Sequence, residues 1–427
     1  MEVHATIELV TRNPVVVDVL VVGAGPAGSA AAIYATQAGH DVLLVEAASF
    51  PRDKTCGDGL TPRAVHQLER LGLSEKITNE HVNHGLKLHG FGGSVTAPWP
   101  KSAFGTIGSA MPRMLFDALL ADAAVSSGAT LWEDARATSV ETTDAGVQQV
   151  TVIHAGVEKQ LRPRWVIVAD GVRSNFGKLL GRQWHRGEVY GIAARSYCTT
   201  PRADEQWIHS HLELKDPDGV VQPGYGWIFP LGDGRVNLGV GALSTDKRPA
   251  KVNTKRLLSH YASQQRSDWQ LGPETDVASA LLPMGGAVSG VSGPNWLLIG
   301  DAAACVNPLN GEGIDYGLET AEMAVAAIGT NENLTTLWPQ LLRESYGEAF
   351  LLARTAARLL TYPKFLPLAG PLGLRGPIGA RLMPAAARLM GNLVTDQDRD
   401  LVARAWRGAG GAASWIRRDS PLWSNPA

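Results

Sequence analysis

Cysteine, net charge and unbroken apolar runs are all scarce in this chain of 427 residues, and each shortage excludes a class of protein. The three cysteines, Cys56, Cys198 and Cys305, are too few and too scattered for a disulfide framework or an iron–sulfur cluster, and they indicate a reducing compartment. The chain has 39 Lys and Arg against 41 Asp and Glu, so no overall basic field indicates nucleic acid as a partner. Any electrostatic function must therefore be local.

Two uncharged runs, 19–39 and 277–300, approach the length of a membrane span, but proline and glycine interrupt both of them. Asp18 and Asp41 flank the first run, and their negative charge is wrong for a signal peptide. The sequence therefore predicts a cytoplasmic protein with no cleaved targeting segment and no transmembrane anchor.

Residues 15–47 have the pattern of a βαβ unit, with a β-branched run, a glycine turn, an alanine-rich helix and a second apolar run. Gly23, Gly25 and Gly28 form G-x-G-x-x-G between the first strand and the helix, a spacing that permits a tight turn and close approach of a pyrophosphate. Glu46 ends the second strand, where a carboxylate can accept ribose hydroxyls. Strand, glycines, helix and acid together predict a site for NAD or FAD.

A second glycine-containing loop lies far downstream, in the stretch LLIGDAAACVNPLNGEGI. Asp301 stands at the end of its strand, and Gly311 and Gly313 lie in a loop that opens a helix. A second cradle of this kind suits a long, extended cofactor that contacts two distant parts of the chain. Between the two cradles, residues 190–284 have short strands and frequent turns, including GDG at 232–234, which predicts an inserted antiparallel sheet.

These motifs resemble the FAD-dependent oxidoreductases of the hydroxybenzoate-hydroxylase type over about residues 15–330. Asp301 matches that group's GD motif, Asp170 and Gly171 its DG motif, and Arg113 its arginine at a helix start. The stretches PRDKTCGDGL, GYGWIFPL and GDAAACVNPLNGEGI are further similar to the geranylgeranyl reductase family, flavoproteins that saturate double bonds in isoprenoid chains. Longer stretches such as CGDGLTPRAV and SALLPMGGAVSGV favour its menaquinone-reducing branch.

The resemblance implies FAD as the cofactor, a menaquinone-like isoprenoid lipid as the substrate, and reduction of one double bond in the polyprenyl tail. The FAD contacts that it implies are Ala27, Glu46, Cys56, Gly57, Gly59, Arg113, Ala137, Asp301, Gly313 and Ile314.

The fold class expected is α/β, or α+β overall, with a Rossmann-like FAD-binding domain, an inserted antiparallel-sheet substrate domain and a C-terminal helical region. The boundaries expected are 15–75, 101–185 and 286–330 for the FAD-binding domain, 76–100 and 186–285 for the substrate domain, and 331–427 for the helical, basic and apolar region.

Saturation of an alkene by a flavin needs a proton as well as a hydride, because an isolated alkene has no carbonyl to accept electron density. Cys56 is a candidate proton donor or positioning group, since a thiol is weakly acidic and small. Buried cysteines also serve simply as packing, so the position beside the flavin is a firmer prediction than the chemistry.

Tyr225, Trp227 and Phe229 alternate along one strand and therefore share a face. With the family resemblance, we interpret them as an apolar wall for a polyprenyl chain rather than as plain core. His209 and His211 also share a strand face, but without a third ligand they predict packed or solvated side chains and no metal site.

Residues 349–395 contain no acidic residue and are rich in leucine, alanine, proline and glycine. Their bases are Arg354, Arg358, Lys364, Arg375, Arg381 and Arg388. This composition predicts contact with an anionic membrane surface, where each base contributes about 1 kcal/mol. The alternative is a helical cap with a solvated basic face.

Three other functions remain open from the sequence. A flavin monooxygenase, hydroxylase or epoxidase, could use the same fold, as could a geranylgeranyl-lipid reductase or an escort protein for prenyl chains without chemistry. The electron donor also stays open between NAD(P)H, a protein and a quinol, since the chain has no second glycine-rich βαβ unit.

Overall fold

The computed structural model describes residues 14–391, 393–394, 398–416 and 422–424, which form a mixed α/β structure. The helices of these residues are α1 (Pro26–Gln37), α2 (Pro62–Arg70), α3 (Glu75–Thr78), α4 (Arg113–Ser126), α5 (Asn175–Leu179), α6 (Thr254–Trp269), α7 (Ile314–Gly329), α8 (Leu334–Leu360), α9 (Phe365–Leu374), α10 (Gly376–Met390) and α11 (Leu401–Ile416).

The strands of the same residues are β1 (Val15–Val22), β2 (Val42–Val45), β3 (Gly59–Leu60), β4 (Gly85–Gly90), β5 (Gly93–Pro98), β6 (Ser109–Ala110), β7 (Thr130–Trp132), β8 (Ala135–Thr143), β9 (Gly146–His154), β10 (Val157–Val168), β11 (Gln183–Trp184), β12 (Tyr190–Thr199), β13 (Ile208–His211), β14 (Gly224–Pro230), β15 (Arg235–Ser244), β16 (Thr275–Pro283), β17 (Val288–Ser289), β18 (Ser292–Gly293) and β19 (Trp296–Leu298).

The first sheet has the order β18-β19-β10-β1-β2-β7, and its strands run parallel except for β18, which is antiparallel to β19. β9 pairs antiparallel with β10, and β8 pairs antiparallel with β9. β1 runs parallel to both β2 and β10, and helix α1 is the crossover that connects β1 to β2. Val19, Leu20 and Val21 are fully buried, as an apolar run in a parallel sheet covered on both faces requires. Helix α1 packs against α4 and α7.

The second sheet has the order β16-β12-β15-β14-β13-β4-β5. Its strands run antiparallel except for β13 and β4, which pair in parallel because β4 enters from an earlier part of the chain. The hairpin predicted at GDG joins β14 to β15, and Gly232 and Gly234 there both have positive φ. Helix α6 packs on the outer face of this sheet, against β12 and β15.

The two histidines noted in the sequence lie beneath α6 and have a third partner that sequence reasoning missed. His89 on β4 stacks on His209 and His211, with ring centroids 5.2 and 4.8 Å away. Burial lowers the pKa of His209 to about 4 and that of His211 to about 3. Tyr261 on α6 is hydrogen-bonded to His211 Nδ1 at 2.5 Å, so the cluster packs as a neutral unit.

The C-terminal helices complete the fold against both sheets. α8 contacts α7 and α11, whereas α9 and α10 pack on β4 and β5. Among the described residues, no helix combines the length and the apolar character needed to cross a membrane.

Candidate cofactor and substrate site

The first cradle is the turn between β1 and α1, and its glycines are required by close contacts. Gly23 has φ +100°, and its N–H donates to the Val45 carbonyl at 2.8 Å. A Cβ at Gly28 would lie only 1.7 Å from the Gly23 carbonyl oxygen, so α1 can approach β1 only with glycine there. Gly25 caps α1 without a side-chain hydrogen bond, which leaves the first N–H groups of the helix available to an anion.

Glu46 stands at the end of β2 and is held by both backbone and side-chain donors. Its Oε2 accepts from the Ala24 N–H at 2.9 Å and from Arg52 Nη2 at 3.1 Å. Its Oε1 accepts from the Ala48 N–H at 3.2 Å. The carboxylate is therefore fixed at the edge of the cavity that also contains Ala27 and Ala137.

Two guanidinium groups stand at the N-terminus of α1, and they fit the diphosphate of a dinucleotide. A Cβ at Gly25 would lie 3.7 Å from Arg52 Nη2 and 3.9 Å from Arg113 Nη2, so both guanidinium groups stand over the helix end. Arg52 and Arg113 both bind the carboxylate of Asp117. Burial lowers the pKa of Lys54 in the same cavity. Arg52 Nε is buried and has no partner among the described residues.

The second cradle forms around Asp301, at the start of the short 3-10 helix Gly300–Ala303. A Cβ at Gly313 would lie 2.8 Å from Asp301 Oδ1, so the carboxylate rests directly against the N-terminus of α7. Gly311 has φ +76° and an open side, and Ile314 begins α7. Burial raises the pKa of Asp301.

Asp170 lies at the end of β10, next to the DG turn. Its Oδ2 accepts from the Phe176 N–H at 2.8 Å, while Oδ1 is buried without a partner among the described residues. Burial raises the pKa of this carboxyl. Asp170 is one of the residues that line the cavity.

Cys56 lines the cavity in the turn before β3, and burial raises the pKa of its thiol. The neighbouring glycines, Gly57 and Gly59, lie against the aromatic strand. A Cβ at Gly57 or Gly59 would lie 2.9 or 3.0 Å from the Phe229 ring, so this turn packs tightly on the aromatic strand.

The aromatic side chains of β14 share one face of the strand and line the cavity. The centroid of Trp227 is 5.9 Å from that of Tyr225 and 6.1 Å from that of Phe229. Trp227 Nε1 donates to Asn237 Oδ1 at 2.9 Å, and Tyr225 Oη donates to the Asn310 carbonyl at 2.6 Å. Polar atoms of the wall are thus tied back into the protein, which leaves ring faces for an apolar ligand.

Sequence reasoning missed several polar side chains that complete the site. Asn237 and Tyr197 both donate hydrogen bonds to the Asp58 carboxylate. The Glu312 carboxyl accepts a hydrogen bond from the Thr61 hydroxyl at 2.5 Å. Burial and the nearby Asp315 raise the pKa of Glu312 well above the usual range. Tyr197 on β12 and Asn237 on β15 meet at Asp58 only because these strands pair, so no local pattern could have indicated them.

One cavity of about 670 Å³ joins both cradles to the aromatic wall. It continues past Leu86 and Trp99 to Leu366 on α9 and to Gly391. The cavity therefore has a polar, cationic end and an apolar end, and the residues of the polar end fit an FAD that spans the two cradles.

The fold and this pair of cradles define a dinucleotide-binding flavoprotein. The family model described as FAD binding domain matches residues 16–331. The chain is 52% identical over 407 residues to a menaquinone reductase of Mycobacterium tuberculosis, which covers 95% of this chain and 98% of the relative. It is 29% identical to a digeranylgeranylglycerophospholipid reductase of Methanosarcina acetivorans, over 77% of this chain and 81% of the relative.

Among solved structures, a geranylgeranyl bacteriochlorophyll reductase-like protein of Thermoplasma acidophilum superimposes with a TM-score of 0.71 at 21% identity, covering 95% of this chain and 99% of that protein. The chain belongs to the FAD-binding family and, within it, to the geranylgeranyl reductases, on the menaquinone reductase branch. The family and the cofactor predicted from the motifs are confirmed, and the protein uses FAD.

Proposed function

We propose that this protein is an FAD-dependent reductase that saturates one isoprenoid C=C bond in the polyprenyl tail of menaquinone. The observation that carries the proposal is the cavity that joins two FAD cradles to an aromatic wall whose hydrogen-bonding groups are all bound to the protein itself. A polyprenyl chain presents methyl groups and π-bonds, which suit such a wall. The full-length similarity to menaquinone reductases supports the choice of this tail over other isoprenoids.

The chain's own residues would hold the cofactor, exclude water and supply a proton. Reduced FAD, when bound, supplies the hydride. Cys56 Sγ is the proton donor that we propose, because its raised pKa keeps the thiol protonated at neutral pH. Trp227 and Phe229 cover the turn that carries the thiol, so the reacting end of the cavity is closed to solvent on that side.

Cys56→Ser tests the catalytic role of the thiol. We expect the variant to retain FAD, seen in its visible absorbance, and to lose most single-turnover reduction of the alkene. Unchanged single-turnover reduction would remove Cys56 from the chemistry and leave it as packing.

The function itself is tested by anaerobic incubation of photoreduced enzyme with menaquinone, followed by mass spectrometry of the tail. A gain of two hydrogens supports the reductase. A gain of an oxygen atom that requires air would instead establish a monooxygenase. Reduction of geranylgeranyl lipids but not of menaquinone would identify the protein as a geranylgeranyl-lipid reductase. A purified protein without a flavin spectrum would favour an escort protein for prenyl chains.

The source of electrons is a separate proposal. An external two-electron donor must reduce FAD before each turnover, and a nicotinamide cofactor, a quinol or a reduced protein could do so. Anaerobic bleaching of the flavin absorbance by NADH or NADPH would select the nicotinamide. No bleaching by either would select a quinol or a protein.

We propose further that the protein is cytoplasmic and docks peripherally on the membrane through 349–395, with the apolar face of α9 rather than the arginines as the main contact. The basic face expected from the sequence is largely paired within the protein. Arg358 binds Glu188 at 3.0 Å, and Arg388 binds Asp398 at 3.1 Å. Arg354 is fully buried.

The exposed apolar side chains lie instead on and beside α9, the helix whose inner side closes the apolar end of the cavity through Leu366. Leu368 is 72% exposed and Leu372 is 64% exposed. A lipid tail could therefore pass from a membrane into the cavity beside this helix.

Liposome flotation separates the two modes of docking. Leu368→Glu with Leu372→Glu should abolish flotation with vesicles of anionic phospholipid, whereas Arg381→Gln on exposed surface should weaken it only slightly. Equal flotation of the leucine variant and the wild type would reject α9 as the contact.

A further inference from the structure

Asp58 lies two residues after Cys56, in a conformation that L-residues adopt rarely. Its φ is +63°, and its side chain is only 1% exposed. A buried aspartate held in the left-handed region persists only where the surroundings fix it. The position therefore calls for a function of the carboxylate itself, since glycine would make the same turn with less strain.

Three donors converge on this carboxylate. Tyr197 Oη donates to Oδ2 at 2.7 Å and Asn237 Nδ2 donates to Oδ2 at 2.8 Å. The backbone N–H of Arg113 donates to Oδ1 at 3.3 Å. Three donors suit the ionised form, although burial raises the pKa of Asp58 to about 6. Asp58 is therefore mostly charged at neutral pH.

The Cys56 thiol interacts with the negative charge of Asp58 and with the positive charge of Arg113. The Asp58 N–H donates to Cys56 Sγ at 3.4 Å, and the Arg113 guanidinium faces the same sulfur. Arg113 is held there by Asp117, with Nε 2.5 Å from Oδ1. Burial is the main cause that raises the pKa of the Cys56 thiol. Arg113 and the Asp58 N–H favour the thiolate, whereas the charge of the Asp58 carboxylate favours the thiol.

Asn237 ties this pair to the aromatic wall. Its Nδ2 also donates to the Cys56 carbonyl at 2.9 Å, and its Oδ1 accepts from Trp227 Nε1 at 2.9 Å. A single amide therefore links Asp58, the backbone of Cys56 and the central ring of the wall. Displacement of Asp58 would disturb the thiol and the wall together.

We propose that Asp58 is a positioning residue that keeps Cys56 Sγ protonated beside Arg113 and fixes the position of Cys56 relative to Trp227. The inference rests on the proposed reductase function. In that reaction one alkene carbon receives the hydride and the other receives the proton from Sγ. The S–H bond breaks, a C–H bond forms, and the thiolate left beside Arg113 regains its proton from water. Asp58 favours that return, because its charge opposes a lasting ion pair between the thiolate and Arg113.

The groups that set the charge of the thiol come from several elements. Arg113 and Asp117 lie on α4, and Tyr197 and Arg195 lie on β12. Arg195 is paired with Asp53 at 2.5 Å and stacks over the Tyr197 ring at 4.6 Å. Of the anions in this set, Asp58 is the nearest to Cys56 in the sequence.

The direct test measures the proton on sulfur in the FAD-loaded enzyme. The infrared S–H stretching band of Cys56 is isolated by subtracting the spectrum of Cys56→Ser, and its loss is followed as the pH rises. In Asp58→Asn the midpoint should fall by at least about one pH unit, a tenfold change in the thiolate-to-thiol ratio. Asp58→Gly keeps the turn without the carboxylate and should show the same shift, which covers the case in which the asparagine variant fails to fold.

Tyr197→Phe is the matched control, since it removes one hydrogen bond to Asp58 and leaves the charge. Its midpoint should stay at the wild-type value. A wild-type midpoint in both Asp58 variants, or an equal shift in Tyr197→Phe, would overturn the proposal.

Single turnover gives an independent readout. The rate of Asp58→Asn relative to wild type should fall about tenfold further between a pH below the variant's infrared midpoint and a pH above the wild-type midpoint, because the thiol of the variant loses its proton earlier in that range. A purely structural role would lower the rate equally at both pH values and would overturn the proposal. The infrared midpoint needs no substrate, so it still decides the role of Asp58 if the wild type proves to reduce no isoprenoid.

Discussion

The cofactor end and the substrate end of the cavity are each stabilised by a different kind of interaction. At the cofactor end, charged side chains are fixed by ion pairs and glycines allow backbone contacts, as in the pairing of Arg113 with Asp117 at 2.5 Å. At the substrate end, rings and aliphatic side chains such as Trp227, Phe229 and Leu366 form the lining. The first arrangement specifies one ligand atom by atom, while the second accepts any slender apolar chain.

From this difference we expect the substrate end to tolerate substitutions that the cofactor end does not. Ion pairs and glycine contacts tolerate little displacement, because a Cβ at a single position would collide with backbone. Ring and aliphatic packing tolerates substitution of similar volume. Variation of the apolar end is therefore the expected route to a different isoprenoid.

The largest effect should come from the cofactor end, with Gly28→Ala. The new methyl group would lie 1.7 Å from the Gly23 carbonyl oxygen, so α1 must move away from β1 and the phosphate site is lost. We expect protein without flavin absorbance. Gly329→Ala, at the end of α7 with open space around it, is the control and should remain yellow. A yellow Gly28→Ala protein would show that this contact does not control FAD binding.

The second-largest effect should come from Trp227→Ala, which should impair the substrate end of the cavity and leave the cofactor end intact. Trp227→Ala removes a buried ring and should cost about 3–5 kcal/mol in the free energy of unfolding, as large core truncations do. We expect FAD to stay bound and single-turnover reduction to fall sharply, because the wall and the Asn237 link are both lost. Denaturant titration and flavin absorbance measure the two properties. Loss of FAD in this variant would show that the ends are not independent.

The sequence predicted the cofactor end better than the substrate end for a physical reason. Gly23, Gly25 and Gly28 act within one turn, so their spacing in the chain is also their spacing in space. Tyr197 and Asn237 reach Asp58 only through the pairing of β12 with β15, which no local pattern reveals. His89 was missed in the same way, because it joins His209 only where β4 and β13 pair.

Acid should affect the substrate sheet through the histidine cluster beneath α6. Burial holds the pKa of His209 near 4 and that of His211 near 3, below the ordinary value of about 6.5. The unfolded chain thus binds more protons, and stability present above pH 6.5 is lost as the pH falls toward 4. For each of these histidines, the free energy of unfolding falls by about 1.4 kcal/mol per pH unit in that window.

Thermal unfolding measured between pH 7 and pH 4 checks this loss. His211→Gln keeps an amide partner for Tyr261 but cannot titrate, so its melting temperature should fall less steeply with acid. An equal slope in wild type and variant would contradict a titrating cluster.

The smallest effect should come from Glu312, where the two ends meet. Its pKa is raised well above the usual range by burial first and by Asp315 second, so between the unfolded and the folded pKa the folded protein binds a proton that the unfolded chain lacks. Such a group loses stability as the pH rises above its unfolded pKa. Glu312→Gln mimics the protonated carboxyl and should leave stability equal or slightly higher at pH 8.

The matched change Glu319→Gln should instead destabilise the protein, because that carboxylate binds Arg63 at 2.5 Å. Removal of Glu319 is costly because Arg63, the partner that keeps its charge, is itself buried. Urea midpoints of both variants at pH 8 measure the contrast. If Glu312→Gln proved the more destabilising of the two, Glu312 would be the ionised partner, and the polar end of the cavity would extend to the aromatic wall.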